Sequence, residues 1–520
     1  MKRREFLGLA GLSALPSVRS GNRLSSRPNI LFCLADDVSY PYMGASVCSW
    51  IRTPGFDRVA REGLLFTRAY TPNAKCAPSR SCILTGRNSW QLEEAANHWC
   101  YFPSKLKTFC EVLVENGYHV GHTLKGWGPG VAKGVSGQPR NMTGRAYNTR
   151  RLTPPARFIA DCDYAGNFED FLDARPGKQP FFFWYGSIEP HRATQFRVGI
   201  EKSGRKVSDV TAIPGFWPDN EIVRTDLLDY AFEIEHFDSH LQRMLTILER
   251  RRQLESTLVV VTADNGMPFP RAKGQCYDYS NHMPLALMWP SGIRNPGRQV
   301  DEYVSFIDFA PTFLEVAEID SKKSGMQPIT GTSFADILFD KSADHKRDSV
   351  LIGKERHDVG RPGDVGYPIR AIVKNGFLYI RNFETSRWPA GNPETGYLNC
   401  DGSPTKTECL KSRLKAETRH YWDLSFGKRP EEELYNVMRD PECLQNLAGS
   451  AELNGLKDRL KAELGARLRQ QADPRILGDG NVFDRYPYAD ETNRNFYERY
   501  MRGERIPAGW VNATDFEKID

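Results

Sequence analysis

One cysteine lies in a segment whose residue types could support nucleophilic chemistry. Cys76 comes two residues before Pro78, and a short apolar run that ends at Gly86 follows. Proline is favoured in the first turn of a helix, because its missing N–H is not needed there. Cys76 is therefore expected at a helix N-terminus, where free backbone amides and the helix dipole favour an anion. Arg80 adds a fixed positive charge suited to an oxyanion.

Polar side chains follow three apolar runs elsewhere in the chain. The runs 29–35, 181–185 and 258–261 are rich in branched and aromatic residues, which predicts buried strands of a mainly parallel sheet. The groups that come after them are Asp36 and Asp37, then Glu189, Pro190 and His191, and finally Asp264, Asn265 and Gly266. Ligands of open α/β sheets gather outside the carboxyl ends of the strands, so we expect these groups to converge on one site. An Asp after a single strand is also typical of a capped turn.

Helical segments alternate with these strands. Residues 105–116 have Ser104 as a candidate cap and Gly117 as a candidate stop, which predicts a helix with both ends marked. Residues 227–251 have apolar side chains at three- and four-residue spacing, which predicts a longer amphipathic helix. Strands that alternate with helices indicate an α/β sheet covered on both faces.

The C-terminal part of the chain has a different pattern. From residue 371 onwards the candidate strands are shorter, and residues 452–471 read as a charged helix. We therefore expect a catalytic domain over residues 28–370 and a smaller C-terminal α+β subdomain over 371–471. Residues 472–520 have little periodicity and are expected to form an irregular tail across the surface.

The first twenty residues have the layout of an export signal. A basic cluster, Lys2, Arg3 and Arg4, precedes the weakly apolar stretch 6–18. This layout indicates a twin-arginine signal and hence an exported protein, periplasmic or extracellular. An amphipathic N-terminal helix is the alternative. We expect no membrane span, since no later segment reaches the roughly 18 apolar residues that a span requires.

Net charge argues against a nucleic-acid partner. The 70 basic and 65 acidic residues give +5, which is small for 520 residues. Residues 1–20 carry four basic residues and one acidic residue, so their removal lowers the net charge from +5 to +2. An anionic ligand would then be bound by a few local cations and not by a basic surface.

The other cysteines form no recognisable metal or redox motif. None of the eleven belongs to a CxxC pair, which argues against a zinc ribbon or a thioredoxin-like site. Cys33 and Cys110 have apolar neighbours and are expected to be buried. Cys400 and Cys409 are close enough in sequence to form a disulfide in an oxidising compartment, and two free thiols are the equal alternative.

The segment Cys76–Arg87 carries a family signature. It reads C-A-P-S-R-S-C-I-L-T-G-R and resembles the type I sulfatases, whose C-x-P-S-R-x-x-x-L-T-G-R pattern it matches at every fixed position. In that family a maturation enzyme oxidises the cysteine to formylglycine, whose hydrate supplies the nucleophilic oxygen. The resemblance implies that Cys76 is the precursor of the nucleophile and that a formylglycine-generating enzyme is a partner.

Further segments extend the resemblance over roughly residues 28–450. In chain order they are 27–37, 53–66, 263–266, 304–312 and 433–448. The resemblance implies an alkaline-phosphatase-like fold, in which helices flank a large mixed, mainly parallel sheet and a smaller C-terminal α+β subdomain follows.

The resemblance also implies a metal site. Its ligands would be Asp36, Asp37, Asp264 and Asn265, with the modified Cys76 beside them. Three carboxylates and an amide oxygen form a hard, all-oxygen site, which suits one Ca²⁺ ion better than zinc or copper. Such a cation can hold a sulfate oxygen and favour deprotonation of the nucleophile.

Four cationic or titratable residues are implied to surround the sulfuryl group: Arg80, Lys125, His191 and Lys273. They would stabilise the charge of the transition state, and one of them would protonate the departing atom. The sequence departs from the family at Trp127, where the family often has histidine. His191 is our first choice for the leaving-group acid, and His122 is the second.

Several segments are nearer to one group, the N-sulfoglucosamine sulfohydrolases that act on heparan chain ends. They are 189–192, 264–270, 355–358 with 367–370, and 419–421 with 433–435. This resemblance implies N-sulfoglucosamine at a heparan or heparin chain end as the substrate. It assigns sugar recognition to Arg192, Glu355, Arg356 and His357, each of which could instead be a solvated surface residue.

Three other functions remain open. The chain could be an exo-acting O-sulfatase on another glycosaminoglycan or sulfated polysaccharide, since export suits polysaccharide foraging. A phosphoester or phosphonate hydrolase of the same superfamily is an alternative of another class, although the full signature at Cys76 argues against it. A non-catalytic binding protein is the third, and the intact set of acidic and cationic residues argues against it.

Overall fold

The structure is a computed structural model that describes residues 27–44, 48–343 and 345–518. The predicted export signal, residues 1–20, lies outside the described residues. Among the helices described, none is long and apolar enough to cross a membrane.

The described strands form two main sheets and one short pair. Their bounds are β1 (Asn29–Ala35), β2 (Leu64–Tyr70), β3 (Cys100–Phe102), β4 (His119–Leu124), β5 (Gly130–Ala132), β6 (Arg145–Ala146), β7 (Phe181–Gly186), β8 (Thr257–Ala263), β9 (His282–Met288), β10 (Arg298–Val300), β11 (Val304–Ser305), β12 (Ser349–Lys354), β13 (Ile369–Lys374), β14 (Phe377–Asn382) and β15 (Glu432–Asn436). The large sheet has the order β10-β2-β9-β8-β1-β7-β4-β6, with β11 beside β2. Its pairings are parallel except for those of β9 with β2 and β8. The predicted mixed, mainly parallel sheet is confirmed.

The three predicted strands lie side by side at the centre of this sheet. Phe32 on β1 is in register with Trp184 on β7 and with Val260 on β8, and all three strands are buried along their length. Burial on both faces explains why these strands are continuous apolar runs and not alternating patterns. Because the three strands are parallel, the polar residues that follow them meet at one edge of the sheet.

The described helices have these bounds: α1 (Pro54–Glu62), α2 (Cys76–Thr85), α3 (Phe109–Glu115), α4 (Tyr164–Asp173), α5 (Val198–Glu201), α6 (Glu221–Arg250), α7 (Asp278–Asn281), α8 (Phe309–Val316), α9 (Ala335–Leu338), α10 (Pro404–Lys411), α11 (Arg419–Phe426), α12 (Asn454–Gln470), α13 (Pro474–Leu477), α14 (Val482–Arg485) and α15 (Phe496–Met501). Helices α3 and α4 cover opposite faces of the large sheet. Successive side chains of β7 point to opposite faces: Phe182 contacts Phe109 of α3 at a ring-centroid distance of 5.2 Å, and Phe183 contacts Phe168 of α4 at 4.9 Å.

Two predicted helices begin elsewhere than expected. The predicted start of α3 at residue 105 is wrong, because Thr108 and not Ser104 is the cap. Thr108 and Glu111 form a reciprocal capping box, in which Thr108 N donates to the Glu111 carboxylate at 2.8 Å and Glu111 N donates to Thr108 Oγ1. Helix α6 begins six residues before the predicted start, where Asn220 accepts a hydrogen bond from the backbone of Val223.

The small sheet is antiparallel, with the order β12-β13-β14-β15. The predicted boundary at residue 370 falls within β13, and β12 precedes it, so the sheet draws on chain from both sides of that boundary. Helix α12 packs on this sheet through Leu460, Leu464 and Leu468. The tail that follows is anchored where Arg370 and Asp473 form a buried ion pair of 2.7 Å.

The described cysteines are all free thiols, and all are buried. Of the two alternatives for Cys400 and Cys409, the structure has the free thiols. Cys33 and Cys110 belong to the main hydrophobic core, as predicted.

Candidate active site

Cys76 is the first residue of helix α2, as its neighbouring proline predicts. The helix is buried along its whole length, and Gly86 ends it in the left-handed conformation at φ 67°. Ser79 fixes the helix to the end of β8, because its hydroxyl donates to the Asp264 carbonyl at 2.5 Å. The N-terminus of α2 therefore faces the edge of the sheet where the strands end.

Acidic and amide side chains from two strand ends surround the Cys76 sulfur. Its distance is 3.5 Å to Asp36 Oδ1, 4.0 Å to Asp37 Oδ1 and 3.9 Å to Asn265 Nδ2. Asp264 joins the two strand ends, since its Oδ1 accepts from the Asp37 backbone at 3.1 Å. The convergence predicted for β1 and β8 is confirmed.

Three cations are paired with these carboxylates. Arg80 donates from Nε to Asp264 Oδ2 at 2.8 Å, and its Nη2 lies 3.5 Å from Asp36 Oδ1. Lys125, which follows β4, donates to Asp36, and Lys273 donates to Asp37. Lys273 Nζ also lies 3.9 Å from the Cys76 sulfur. The end of β4 thus contributes to the site, in addition to the three strand ends that the sequence predicted.

His191, after β7, completes the group. Its Nε2 lies 3.9 Å from Asp37 Oδ2, and its Nδ1 is 2.6 Å from the Arg192 carbonyl. Its neighbour Glu189 points elsewhere and is held by Tyr164, Ser187 and the Ala160 backbone. Of the polar residues after β7, His191 is therefore the one placed to act on a ligand.

Burial and the surrounding charges shift the pKa values of these groups. Burial raises the pKa of the Cys76 thiol, but Lys125 and Lys273 outweigh it and bring the pKa well below its usual range. Burial lowers the pKa of His191, and the Asp37 carboxylate overcomes this and raises it to about 9. The low pKa of the thiol reflects the ammonium groups around it, which would also attract an anionic ligand.

The acidic residues fit a divalent cation. Ligand oxygens of Asp36, Asp37 and Asp264 lie within 4.8 Å of one another. Asn265 Oδ1 is buried and has no hydrogen-bond partner within the described part of the chain. Burial raises the pKa of Asp37 to about 7 despite the charge of Lys273, so a bound cation would be needed to keep that carboxylate fully ionised. Four hard oxygen donors of this kind suit Ca²⁺.

A cavity of about 590 Å³ opens onto this group. Its polar lining residues are Lys75, Cys76, His98, Lys125, His191, Asp358 and Asp401, and its aromatic lining residues are Trp99, Trp127 and Trp510. A volume of this size is typical of a small-molecule site, and the reactive groups lie at its wall.

The residues predicted to recognise a sugar have other partners. Arg192 pairs with Asp226 at 2.8 Å, and the two oxygens of Glu355 pair with Arg370 and Arg475 at 2.7 Å each. Arg356 donates to the Tyr486 carbonyl at 2.7 Å, and His357 Nε2 is 2.9 Å from Asn73 Oδ1. None of the four side chains is in the described cavity lining. Glu355, Arg356 and His357 are buried, and the Arg192 side chain is 5% exposed, so the surface alternative is wrong for all four. Their role in sugar recognition stays a prediction.

The structure also places Trp127, where the family often has histidine, and His122, the second candidate for the leaving-group acid. Trp127 lines the cavity, and its Nε1 donates to Ser81 Oγ of α2 at 2.9 Å. His122 is 3.1 Å from Thr143 Oγ1 and does not belong to the described lining. The structure therefore favours His191 over His122 by position.

Sequence reasoning missed several cavity residues. Lys75 and Asp358 form a buried ion pair of 2.9 Å, and His98 Nδ1 lies 3.0 Å from the other oxygen of Asp358. Lys75 directly precedes the signature cysteine, and Asp358 directly follows His357, which was predicted to recognise the sugar. Their positions in the sequence could therefore have identified both as site residues. Asp401 and Trp510 have no such signal, because they come from the C-terminal part of the chain.

The chain is similar to known sulfatases. A family model described as Sulfatase matches residues 28–319. An ulvan-active sulfatase of Formosa agariphila is 27% identical over 475 residues, covering 89% of this chain and 84% of that protein. Human N-sulphoglucosamine sulphohydrolase is 26% identical over 492 residues, covering 88% of this chain and 93% of that protein.

Solved structures share the fold. One, in complex with D-glucosamine-2-N,6-O-disulfate, has a TM-score of 0.60 at 19% identity and covers 86% of this chain and 99% of its own. The phosphonate monoester hydrolase of Agrobacterium radiobacter has a TM-score of 0.57 at 16% identity, with coverage of 87% and 97%. Both confirm the predicted architecture of a large sheet followed by a smaller subdomain.

Proposed function

This chain belongs to the sulfatase family and is a hydrolytic enzyme, and we propose that it removes the N-sulfate of a terminal glucosamine in heparan or heparin. The proposal includes conversion of Cys76 to formylglycine by a maturation enzyme and one bound calcium ion. The match to the human relative, which extends over most of both chains, supports the choice of substrate.

The position of Cys76 is the observation that carries this proposal. Its sulfur lies at the cavity wall, 3.5 Å from Asp36 Oδ1 and 3.9 Å from Lys273 Nζ. A nucleophile that attacks an anionic group beside a bound cation needs both kinds of neighbour. The carboxylates hold the cation, and the ammonium groups attract the anionic group. Cysteines that serve only packing lie among apolar side chains, as Cys33 and Cys110 do.

Four oxygen ligands would hold the calcium ion: Asp36, Asp37, Asp264 and Asn265. When bound, Ca²⁺ neutralises charge on a sulfate oxygen and favours the ionised form of the nucleophile. The chain prepares this site by bringing the ends of β1 and β8 together, which the hydrogen bond from Asp37 N to Asp264 fixes.

The cations of the chain would bind the sulfuryl group. Lys125 lines the cavity, and Arg80 and Lys273 lie beside the same carboxylates. Fixed positive charges in a buried site stabilise the charge that grows on the sulfuryl oxygens in the transition state. Formylglycine at position 76, when present, supplies the nucleophilic oxygen.

His191 would protonate the leaving nitrogen. It lines the cavity, and although burial lowers the pKa of the imidazole, the nearby Asp37 carboxylate raises it, which favours the protonated form. A protonated imidazole within reach of the leaving group is a general acid. Its Nδ1 contact with the Arg192 carbonyl leaves Nε2 directed to the reacting side.

Sulfate release from two matched sugars tests the substrate. We expect the kcat/KM for N-sulfated glucosamine to exceed that for 6-O-sulfated glucosamine by at least about tenfold, because the site would be built for a nitrogen leaving group. Release only from the O-sulfate would reject the N-sulfate proposal and favour the O-sulfatase alternative. Faster hydrolysis of an aryl phosphonate monoester than of either sugar would favour the phosphonate hydrolase alternative.

We also propose that the protein is exported through its twin-arginine segment. The support is the basic pair Arg3 and Arg4 before a weakly apolar stretch. In a bacterial host with the corresponding export machinery, replacement of both arginines by lysine should retain the protein in the cytoplasm. Unchanged export of that variant would contradict the proposed route.

A further inference from the structure

We propose that the C-terminal tail completes a sugar-ring subsite in the active-site cavity, with Trp510 and Trp99 as its aromatic walls. The proposal rests on the proposed function, since it concerns the sugar that carries the sulfate. Trp510 lies far outside the segment matched by the family model, and the cavity includes it. The subsite would determine which sugars bind, while the chemistry stays with the residues around Cys76.

The tail is firmly held beside the cavity. Lys406 and Asp515 form an ion pair of 3.0 Å in which both side chains are fully buried. Glu517 accepts a hydrogen bond of 2.6 Å from Tyr397 OH, and the Trp510 carbonyl accepts one of 2.7 Å from Gly402 N. A buried ion pair with further hydrogen bonds fixes the geometry of the groups that carry it.

A close backbone contact adds to this attachment. A side chain at Gly402 would come within 2.8 Å of Asn512 N, so the loop and the tail touch backbone to backbone. The same loop carries Asp401, which lines the cavity and lies 3.7 Å from Lys273 Nζ. The attachment point of the tail is therefore next in sequence to a residue of the active-site wall.

The two tryptophans rest on one small hydrophobic cluster. Its buried members are Val359, Leu398, Tyr488 and Phe496, and Trp99 and Trp510 pack against it while remaining half-buried. Trp510 Nε1 also donates to the Leu398 carbonyl at 2.9 Å. Two of the buried members belong to the tail, so the tail supports both indole rings as well as supplying one.

Polar groups in the cavity complement these aromatic walls. His98 is buried, and its Nε2 has no hydrogen-bond partner among the described residues although the residue lines the cavity. Lys75 and His98 bring the pKa of Asp358 well below its usual range, against the effect of burial. Asp358 and Asp401 both present carboxylates at the cavity wall, where Lys75 lies 2.9 Å from Asp358 and Lys273 lies 3.7 Å from Asp401.

A pyranose ring is the ligand that matches this combination. Its two faces carry C–H groups that pack on aromatic side chains, and its edge carries hydroxyl groups that donate to carboxylates and imidazole. An apolar surface with a few fixed polar groups is also the usual design of small-molecule sites. A free sulfate ion would need the cations and would gain nothing from indole rings.

Kinetics of two Trp510 variants test the proposal. The substrate is whichever sulfated glucosamine the wild type hydrolyses, and inorganic sulfate is the second probe, used as an inhibitor. Trp510→Leu should raise the KM for the sugar about tenfold and leave the inhibition constant of sulfate within about twofold, since sulfate contacts only the cations. Trp510→Phe keeps an aromatic face but loses the hydrogen bond to Leu398, and its KM should stay within about threefold of the wild type.

Trp388→Leu is the matched control. Trp388 is also half-buried, packs on Trp422 at 6.1 Å and does not belong to the described cavity lining. Its KM for the sugar should be unchanged, and melting temperatures of all variants should be recorded.

Three results would overturn the subsite. They are an unchanged KM in Trp510→Leu, an equal rise in Trp510→Phe and Trp510→Leu, and a parallel rise in the inhibition constant of sulfate. Each would mean that Trp510 serves only the structure of the tail. A failure of the proposed function would look different, because it would appear in the wild type, which would then release no sulfate from N-sulfated glucosamine.

Discussion

The proposed reaction centre around Cys76 and the cavity wall around Trp510 are assembled differently. The centre consists of residues at the ends of neighbouring strands of the central sheet and at the N-terminus of helix α2. The wall combines residues near position 98, the segments around 358 and 401, and the tail. In the proposed function, the chemistry depends on a rigid framework, whereas the choice of sugar depends on segments that can vary without disturbing it.

Removal of divalent ions should give the largest loss, because it acts on the reaction centre as a whole. We expect kcat/KM to fall about a thousandfold after dialysis against a chelator, equal to about 4 kcal/mol of transition-state stabilisation. Added Ca²⁺ should restore activity and Zn²⁺ should not, since the ligands are all oxygens. Full activity in protein whose metal content has been measured as negligible would contradict the metal site.

Loss of one cation at the centre should have a smaller effect. Lys125→Met removes the ammonium group that pairs with Asp36, and kcat should fall about a hundredfold as charge on the sulfuryl group loses a partner. Lys105→Met is the control, because Lys105 is 59% exposed and pairs with Glu93 on the surface. Equal kcat values for the two variants would show that Lys125 takes no part in the reaction.

A change in the tail anchor should affect the wall and spare the centre. Asp515→Asn leaves the buried Lys406 ammonium without its counter-charge, so the melting temperature should fall. We expect the KM for the sugar to rise about fivefold while kcat stays within about twofold, because Trp510 is displaced. Glu504→Gln, at an exposed pair in the same tail, should change neither quantity. A lower melting temperature with an unchanged KM would show that the tail anchor does not affect sugar binding at the cavity wall.

The smallest effect on activity is expected at Glu355. Both of its oxygens are paired with buried arginines, and the side chain is 1% exposed. Glu355→Gln should lower the melting temperature and leave the KM for the sugar within about twofold. A tenfold rise in KM at a normal melting temperature would instead support the sugar-recognition role that the family resemblance implies.

Local patterns in the sequence were sufficient to predict which residues the structure brings together around Cys76. The apolar runs at β1 and β8 end directly in Asp36 and Asp264, and His191 follows the end of β7 by a few residues, so the parallel sheet brings these groups together. The signature at Cys76 combines a helix start and a helix stop that the structure confirms. In such cases the information lies within a few residues of each functional group.

The cavity wall could not be predicted in this way. Trp510, Asp401 and His98 come together only through tertiary contacts, and no short pattern connects them. Competition between local signals explains the error at α3, where the Thr108–Glu111 capping box defines the start in place of Ser104. Burial inside the small subdomain, which places Glu355 between two arginines, is likewise a tertiary property.

The central claim is that Cys76, as formylglycine, begins the hydrolysis of an N-sulfated glucosamine. The direct measurement combines mass analysis of the tryptic peptide Cys76–Arg80 with sulfate release by the same preparation. We predict an aldehyde in place of the thiol in active protein made with a maturation enzyme, and no sulfate release from the Cys76→Ala variant. Full activity with an unmodified thiol, or turnover by Cys76→Ala, would contradict the account.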